Sequence, residues 1–299
     1  MFKGVYTALI TPFNGKKIDC AAFEELIKYQ IQGGADGVVI NGTTGESPNI
    51  KEREVEEMFE IASGVRKDLK SGLKIVIGTG ANSTDEASKK SSHAAKLGPD
   101  GLLVVTPYYN KPTQKGLYEH YKTAAAHAEG CGVILYNVPG RTGCNMLPET
   151  VEKLSHIENI MAVKEASANL TQISEIYITA CAPSKKGFTL LSGDDGLTLP
   201  ILSVGGAGVI SVTSNIVPGL VKKCVNDYMA GDTVSARETH DRLFELNSIL
   251  FVESNPIPVK TAAALMGLCR EEFRLPLCEM ADQNRRKLAE CLKKYKLVK

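Results

Sequence analysis

An excess of charge of either sign is missing from this sequence: 35 Lys+Arg stand against 34 Asp+Glu, a formal net charge of +1. No basic stripe of the kind that follows a phosphate backbone occurs, so no nucleic-acid partner is expected. Long apolar runs are missing too. A low-charge stretch, 197–212, is interrupted by Pro200, Gly205, Gly206 and Gly208. It falls short of the roughly 20 apolar residues that span a bilayer, and no membrane association is expected. The opening MFKGVYTALITPFNG carries one basic residue, Lys3, and meets Pro12 before a signal-peptide core develops; a cytoplasmic location is expected instead of secretion. The eight cysteines, at 20, 131, 144, 181, 224, 269, 278 and 291, form no CxxC pair, and reduced thiols without zinc are expected. HExxH, GxxxxGK[ST] and GxSxG are absent, and no GxGxxG follows an apolar run. Metal-peptidase, P-loop, serine-hydrolase and dinucleotide-binding classes therefore lack their defining parts, and no metal site is expected.

What is there is 43% hydrophobic, enough for a sizeable core. Eight short apolar runs recur: 5–10, 36–41, 74–79, 101–106, 132–137, 160–165, 188–193 and 208–213. They are continuous, as strands covered on both faces require. Helical-looking segments lie between them, including 51–69, 84–97, 117–128, 148–154 and 169–181. Successive strand ends from Gly78 to Ser192 fall about 28–30 residues apart, the size of one βα unit. The pattern predicts an α/β fold, a (β/α)8 TIM barrel over 1–220, with 221–299 a C-terminal α-helical extension packed on the barrel. An open doubly wound sheet is the structural alternative, though such sheets usually carry fewer strands.

In a barrel of this kind the chemistry lies at the C-terminal strand ends. Lys164 closes the apolar run 160–163. An amine there is stripped of hydration, which favours its neutral, nucleophilic form, and a Schiff base with a keto acid follows; pairing with a carboxylate is the competing reading. Tyr136 ends the preceding run and can reach Lys164 to move protons, or it is an ordinary amphipathic tyrosine. Gly42-Thr43-Thr44-Gly45 offers hydroxyls and backbone N–H groups to a small carboxylate, or is a capped turn. Arg141 carries the fork that binds a carboxylate bidentately, or forms a structural salt bridge. His120 and His127, seven apart on one helix face, form no ligand cluster, and Asp194-Asp195 reads as a loop cap.

Six segments taken together carry a family resemblance: 42–47 (GTTGES), 106–112 (TPYYNKP), 136–142 (YNVPGRT), 163–167 (VKEAS), 192–195 (SGDD) and 253–260 (ESNPIPVK). In this order they resemble the dihydrodipicolinate synthase (4-hydroxy-tetrahydrodipicolinate synthase) family. It lies within the pyruvate-dependent Schiff-base aldolase superfamily, which includes N-acetylneuraminate lyase. The resemblance implies condensation of pyruvate with L-aspartate 4-semialdehyde to 4-hydroxy-tetrahydrodipicolinate, in the diaminopimelate route to lysine. It implies no cofactor beyond a covalent Schiff base on Lys164, with Tyr136 as proton donor and acceptor. Thr43 would sit between Tyr136 and Tyr109 in a proton relay, Tyr109 reaching into an adjacent subunit. Thr44 would hold the pyruvate carboxylate, Gly193 and Ile210 would line the pyruvate pocket, and Arg141 would receive the second substrate's carboxylate. A homotetramer, a dimer of tight dimers, is implied. Ser47, Asn82, Glu86 and Tyr108 match a lysine effector site. Two histidines contributed by some inhibited members correspond to Glu52 and Val55, so weak or absent feedback sensitivity is expected. A different aldolase on the same barrel, or a silent keto-acid sensor, remain the rival readings.

Overall fold

The computed structural model describes Met1–Lys299. The strands are β1 (Gly4–Ala8), the short β2 (Phe13–Asn14) and β3 (Lys17–Ile18), β4 (Gly37–Ile40), β5 (Lys74–Gly78), β6 (Gly101–Val105), β7 (Gly132–Asn137), β8 (Ile160–Glu165), β9 (Thr189–Ser192) and β10 (Gly208–Ser211). β2 and β3 form an antiparallel hairpin. The other eight close into a barrel in the order β1-β10-β9-β8-β7-β6-β5-β4, and each coincides with one of the eight apolar runs. The helices are α1 (Cys20–Gln32), α2 (Glu52–Asp68), α3 (Thr84–Leu97), α4 (Gln114–Ala126), α5 (Pro139–Thr142), α6 (Pro148–Ser155), α7 (Leu170–Ile176), α8 (Thr198–Ser203), α9 (Pro218–Met229), α10 (Thr233–Ile249), α11 (Ile257–Leu265) and α12 (Asp282–Lys294). The fold is the expected (β/α)8 barrel, followed by helices. No helix is long and apolar enough to cross a membrane.

Helix starts follow from capping side chains. Asp19, Thr113, Asn169 and Asp232 each accept a hydrogen bond from a backbone N–H of the first turn of α1, α4, α7 and α10, satisfying donors that the helix itself leaves open. Gly98, at φ 77°, ends α3 in the left-handed conformation that glycine adopts without strain.

The chain forms two compact units, one of Met1–Gly4 and Val76–Ile210, the other of Val5–Ile75 and Ser211–Lys299. In the first, Leu102, Val104, Val133, Ile134, Leu135, Ala162, Val163 and Leu191 are fully buried. Residues of opposite pleat are thus buried alike, which is why these runs do not alternate. In the second, Leu26, Ile27, Val38, Val39, Met58 and Ala62 form the corresponding core.

Two local expectations change. The segment 169–181 is not one α-helix: α7 ends at Ile176 and a π-helical turn, Tyr177–Cys181, follows. His120 and His127 differ in surroundings, since α4 ends at Ala126 and His127 is its C-cap. His120 is buried with Nδ1 3.0 Å from Thr84 Oγ1, whereas His127 is the exposed C-cap. Asp194 does act as a cap, its carboxylate accepting from Gly196 N at 2.8 Å. All eight cysteines are free.

Candidate active site

The parallel register pairs Tyr136 on β7 with Lys164 on β8, and Asn137 with Glu165 one step on. Because successive strand residues point to opposite faces, Tyr136 and Lys164 share one face and Asn137 and Glu165 the other. Lys164 is 5% exposed. Its Nζ lies 4.1 Å from the centroid of the Tyr136 ring and enters no ion pair, so the carboxylate-pairing reading falls away. The contact holds the lysine nitrogen against the ring face of the tyrosine beside it on the sheet. Gly193 follows β9, its N–H donating to Glu165 O at 2.7 Å. A Cβ there would clash with Ala166 Cβ at 2.8 Å and crowd Glu165 O and Lys164 Cε, each at 3.1 Å, so glycine suits the close approach of this loop to the lysine stem. Ile210, on β10, is buried.

Behind the sheet, Asn137 and Glu165 are both fully buried. The Glu165 carboxylate accepts from Asn137 Nδ2 at 3.0 and 3.2 Å, Ser167 N at 2.7 Å and Gln172 Nε2 at 3.3 Å. Burial pushes its carboxyl up from the usual carboxylate range, and the hydrogen bonds pull the other way.

The loops after β6 and β7 carry the remaining candidates of this unit. Tyr109 N donates to Thr142 O at 3.2 Å, and Thr106 Oγ1 donates to Thr142 Oγ1 at 3.2 Å. These bonds join the Tyr109 loop to α5, on which Arg141 stands exposed. Tyr109 adopts φ 76° and is 88% exposed, so its ring projects from a backbone conformation that non-glycine residues rarely take. Of the effector-site candidates, Asn82 O accepts from Asn110 Nδ2 at 2.8 Å, close in sequence to the exposed Tyr108. Glu86 lies exposed in the first turn of α3.

In the second unit the segment after β4 folds into a tight turn: Gly45 N and Ser47 N donate to Gly42 O, and Glu46 N to Thr43 O, at 3.0, 3.2 and 3.1 Å. Asn41 and Glu46 bracket it at φ 55° and 60°. Thr43 is half-buried, as is Ser47 at the turn's end. Thr44 is buried, and its Oγ1 accepts from Asn255 Nδ2 at 2.9 Å. A hydroxyl that receives a donor keeps its own hydrogen to give. Glu46 Oε1 lies 2.7 Å from Lys260 Nζ, both side chains 0% exposed, and Glu46 Oε2 accepts from Arg274 N at 3.1 Å. Asn255, Lys260 and Glu46 lie within the motif segments 42–47 and 253–260, whose pattern alone assigns them no role. The signal was a lysine and a glutamate inside otherwise apolar or small-residue segments, each needing a buried partner.

A closed (β/α)8 barrel with a buried lysine at one strand end and a tyrosine packed on it defines an enzyme class, that of barrels built around a strand-end lysine. The family model described as the dihydrodipicolinate synthetase family matches residues 1–295. A 4-hydroxy-tetrahydrodipicolinate synthase of Endomicrobium trichonymphae is 50% identical over 300 residues, covering 100% of both chains. The dihydrodipicolinate synthase of Aquifex aeolicus superposes with a TM-score of 0.94 at 45% identity, over 99% of each chain. The chloride-inhibited dihydrodipicolinate synthase of Acinetobacter baumannii, solved with pyruvate, gives 0.93 at 36% identity over 100% of each chain. This chain belongs to the dihydrodipicolinate synthetase family.

Proposed function

We propose that the chain condenses pyruvate with L-aspartate 4-semialdehyde to 4-hydroxy-tetrahydrodipicolinate, the step that commits carbon to diaminopimelate and lysine. The observation that carries this reading is the buried Lys164 amine, 4.1 Å from the Tyr136 ring and without an ionic partner. The amine adds to the ketone of pyruvate, and the carbinolamine loses water to give an iminium. Tyr136 moves the proton at each of these steps. The iminium nitrogen then takes up the electrons released when the pyruvate methyl group loses a proton, and the resulting enamine attacks the aldehyde carbon of the second substrate. The substrate's amine closes on the iminium carbon and displaces Lys164. One water is lost overall, and the lysine is regenerated.

Thr44 gives its hydroxyl hydrogen to the pyruvate carboxylate, supported by the Asn255 bond that fills a lone pair of its oxygen. The Gly193 backbone and Ile210 line the keto-acid pocket, and Arg141 takes the carboxylate of the semialdehyde. Thr43 and Tyr109 extend the proton path from Tyr136. The exposure of Tyr109 supports its service to a neighbouring copy, which fits a cytoplasmic homotetramer of tight dimers. Purified protein given both substrates, with the product identified by mass spectrometry, tests the reading. The expected result is a product whose mass is that of the two substrates less one water. Turnover with a sugar-derived aldehyde and none with L-aspartate 4-semialdehyde would overturn it.

A further inference from the structure

The ladder between β7 and β8 ends at the residues the chemistry needs. Tyr136 is the penultimate residue of β7 and Lys164 of β8, and the last paired positions are Asn137 and Glu165. Strand ends fray unless something beyond the ladder holds them. Here that role falls to a closed set of side chains on the face away from Lys164. Asn137 Oδ1 accepts from Met146 N at 2.9 Å, which fixes the amide so that Nδ2 faces Glu165. Asn145 Oδ1 accepts from Asn137 Nδ2 at 2.8 Å and from Gln172 Nε2 at 3.1 Å, while Asn145 Nδ2 donates to Gln172 Oε1 at 2.7 Å. The groups bonded to the Glu165 carboxylate are all donors, and second bonds set the orientation of the Asn137 and Gln172 amides.

We propose that Glu165 is a positioning residue, whose carboxylate grips Asn137, Ser167 and Gln172 from behind the sheet and so fixes the spacing and aim of Tyr136 and Lys164. It does not touch substrate, since it points to the opposite face. Packing alone does not account for it, because a buried carboxylate costs far more than an apolar side chain of the same size. The Asn145 and Met146 bonds bring the segment that follows Arg141 onto the same anchor, so one carboxylate holds the β7 end, the β8 end and the loop between them. Proton transfer between Tyr136 and the Lys164 nitrogen needs this geometry, and a displacement near 1 Å costs on the order of 100-fold.

The inference rests on the Schiff-base reading, and its test separates the two. Borohydride trapping with labelled pyruvate counts competent sites, and turnover is then expressed per trapped site. Glu165→Gln turns one acceptor into a donor facing donors, and turnover per site is expected to fall at least about tenfold. Pairing it with Gln172→Glu restores an acceptor opposite the new amide and should recover most of the loss. A merely structural role lowers the number of sites and leaves turnover per site within twofold of wild type, which would overturn the proposal. If Glu165→Gln does not fold, Asn145→Ala, which removes the outer strut, is read by the same measure: a roughly three- to tenfold loss per site supports the proposal, and an unchanged value refutes it. Wild-type protein that traps no pyruvate would instead refute the Schiff-base reading.

Discussion

Replacing Lys260 with methionine tests whether the pair beneath the Thr43–Thr44 turn is as buried as it looks. Its ammonium sits 2.7 Å from Glu46 Oε1, 3.9 Å from the Phe13 ring centroid and 5.2 Å from that of Phe273, with neither charged side chain exposed. Burial pulls the Lys260 ammonium below the usual lysine value, and the Glu46 charge opposes it. Lys260→Met fills the same apolar path but leaves the Glu46 carboxylate in a dry site with the Arg274 N–H alone. Breaking a buried pair from one side costs about 3–5 kcal/mol, whereas removing both charges together is often nearly neutral. In a chain of 299 residues the unfolding entropy is roughly 0.6 kcal/mol/K, so the single variant should melt about 5–8 °C lower. Adding Glu46→Gln should return most of that loss, giving a coupling of about 2 kcal/mol or more. The assay is thermal unfolding at pH 7 in low salt and in 0.5 M salt, the loss being the same in both because buried pairs are little screened. A loss under about 1 kcal/mol that vanishes in salt is the behaviour of a surface pair and would refute the reasoning.

Three further outcomes follow from particular residues. Tyr109→Phe keeps the ring but removes the hydroxyl of the 88% exposed side chain, and turnover should fall about 10- to 100-fold while pyruvate trapping persists; unchanged kinetics would take Tyr109 out of the proton path. Burial holds His120 down at about 4 against an ordinary 6.5, and its Nε2 has no hydrogen-bond partner. The unfolded chain therefore takes up a proton that the fold refuses, and stability, fully present above pH 6.5, declines by at most about 1.4 kcal/mol per unit as pH falls toward 4. Urea midpoints at pH 7 and pH 5 should differ less in His120→Gln, and an identical pH loss in both proteins would contradict this. Free lysine should leave turnover nearly unchanged, since the family resemblance implies that Glu52 and the buried Val55 stand in place of histidines that some inhibited members contribute; inhibition at submillimolar lysine would overturn that.

The strands and the side-by-side placement of Lys164 and Tyr136 at two strand ends were legible in the sequence for one physical reason. A parallel strand covered on both faces must be apolar throughout, so the run 160–165 matches β8 to the residue, and a lysine closing such a run has nowhere to point but the strand end. Helix 84–97 was equally plain, because Gly98 stops it with a positive φ. The π turn after Ile176 was not legible, since its hydrogen-bond spacing leaves no mark in apolar periodicity. Nor was the identity of the partners that hold the site. Glu46 and Lys260 lie 214 residues apart in sequence, and Asn255 meets Thr44 across 211. Glu165 could be seen to face away from Lys164, but not that Asn137, Ser167 and Gln172 would all turn donors toward it. Such contacts are products of closure, and local pattern carries no trace of them.

The central claim is that Lys164 captures pyruvate, and the most direct measurement is borohydride reduction in the presence of pyruvate followed by peptide mass spectrometry. The account predicts one reduced pyruvate adduct per chain, on the peptide carrying Lys164, and none in Lys164→Ala. Folded protein that stays unmodified, or an adduct on another lysine, would contradict it.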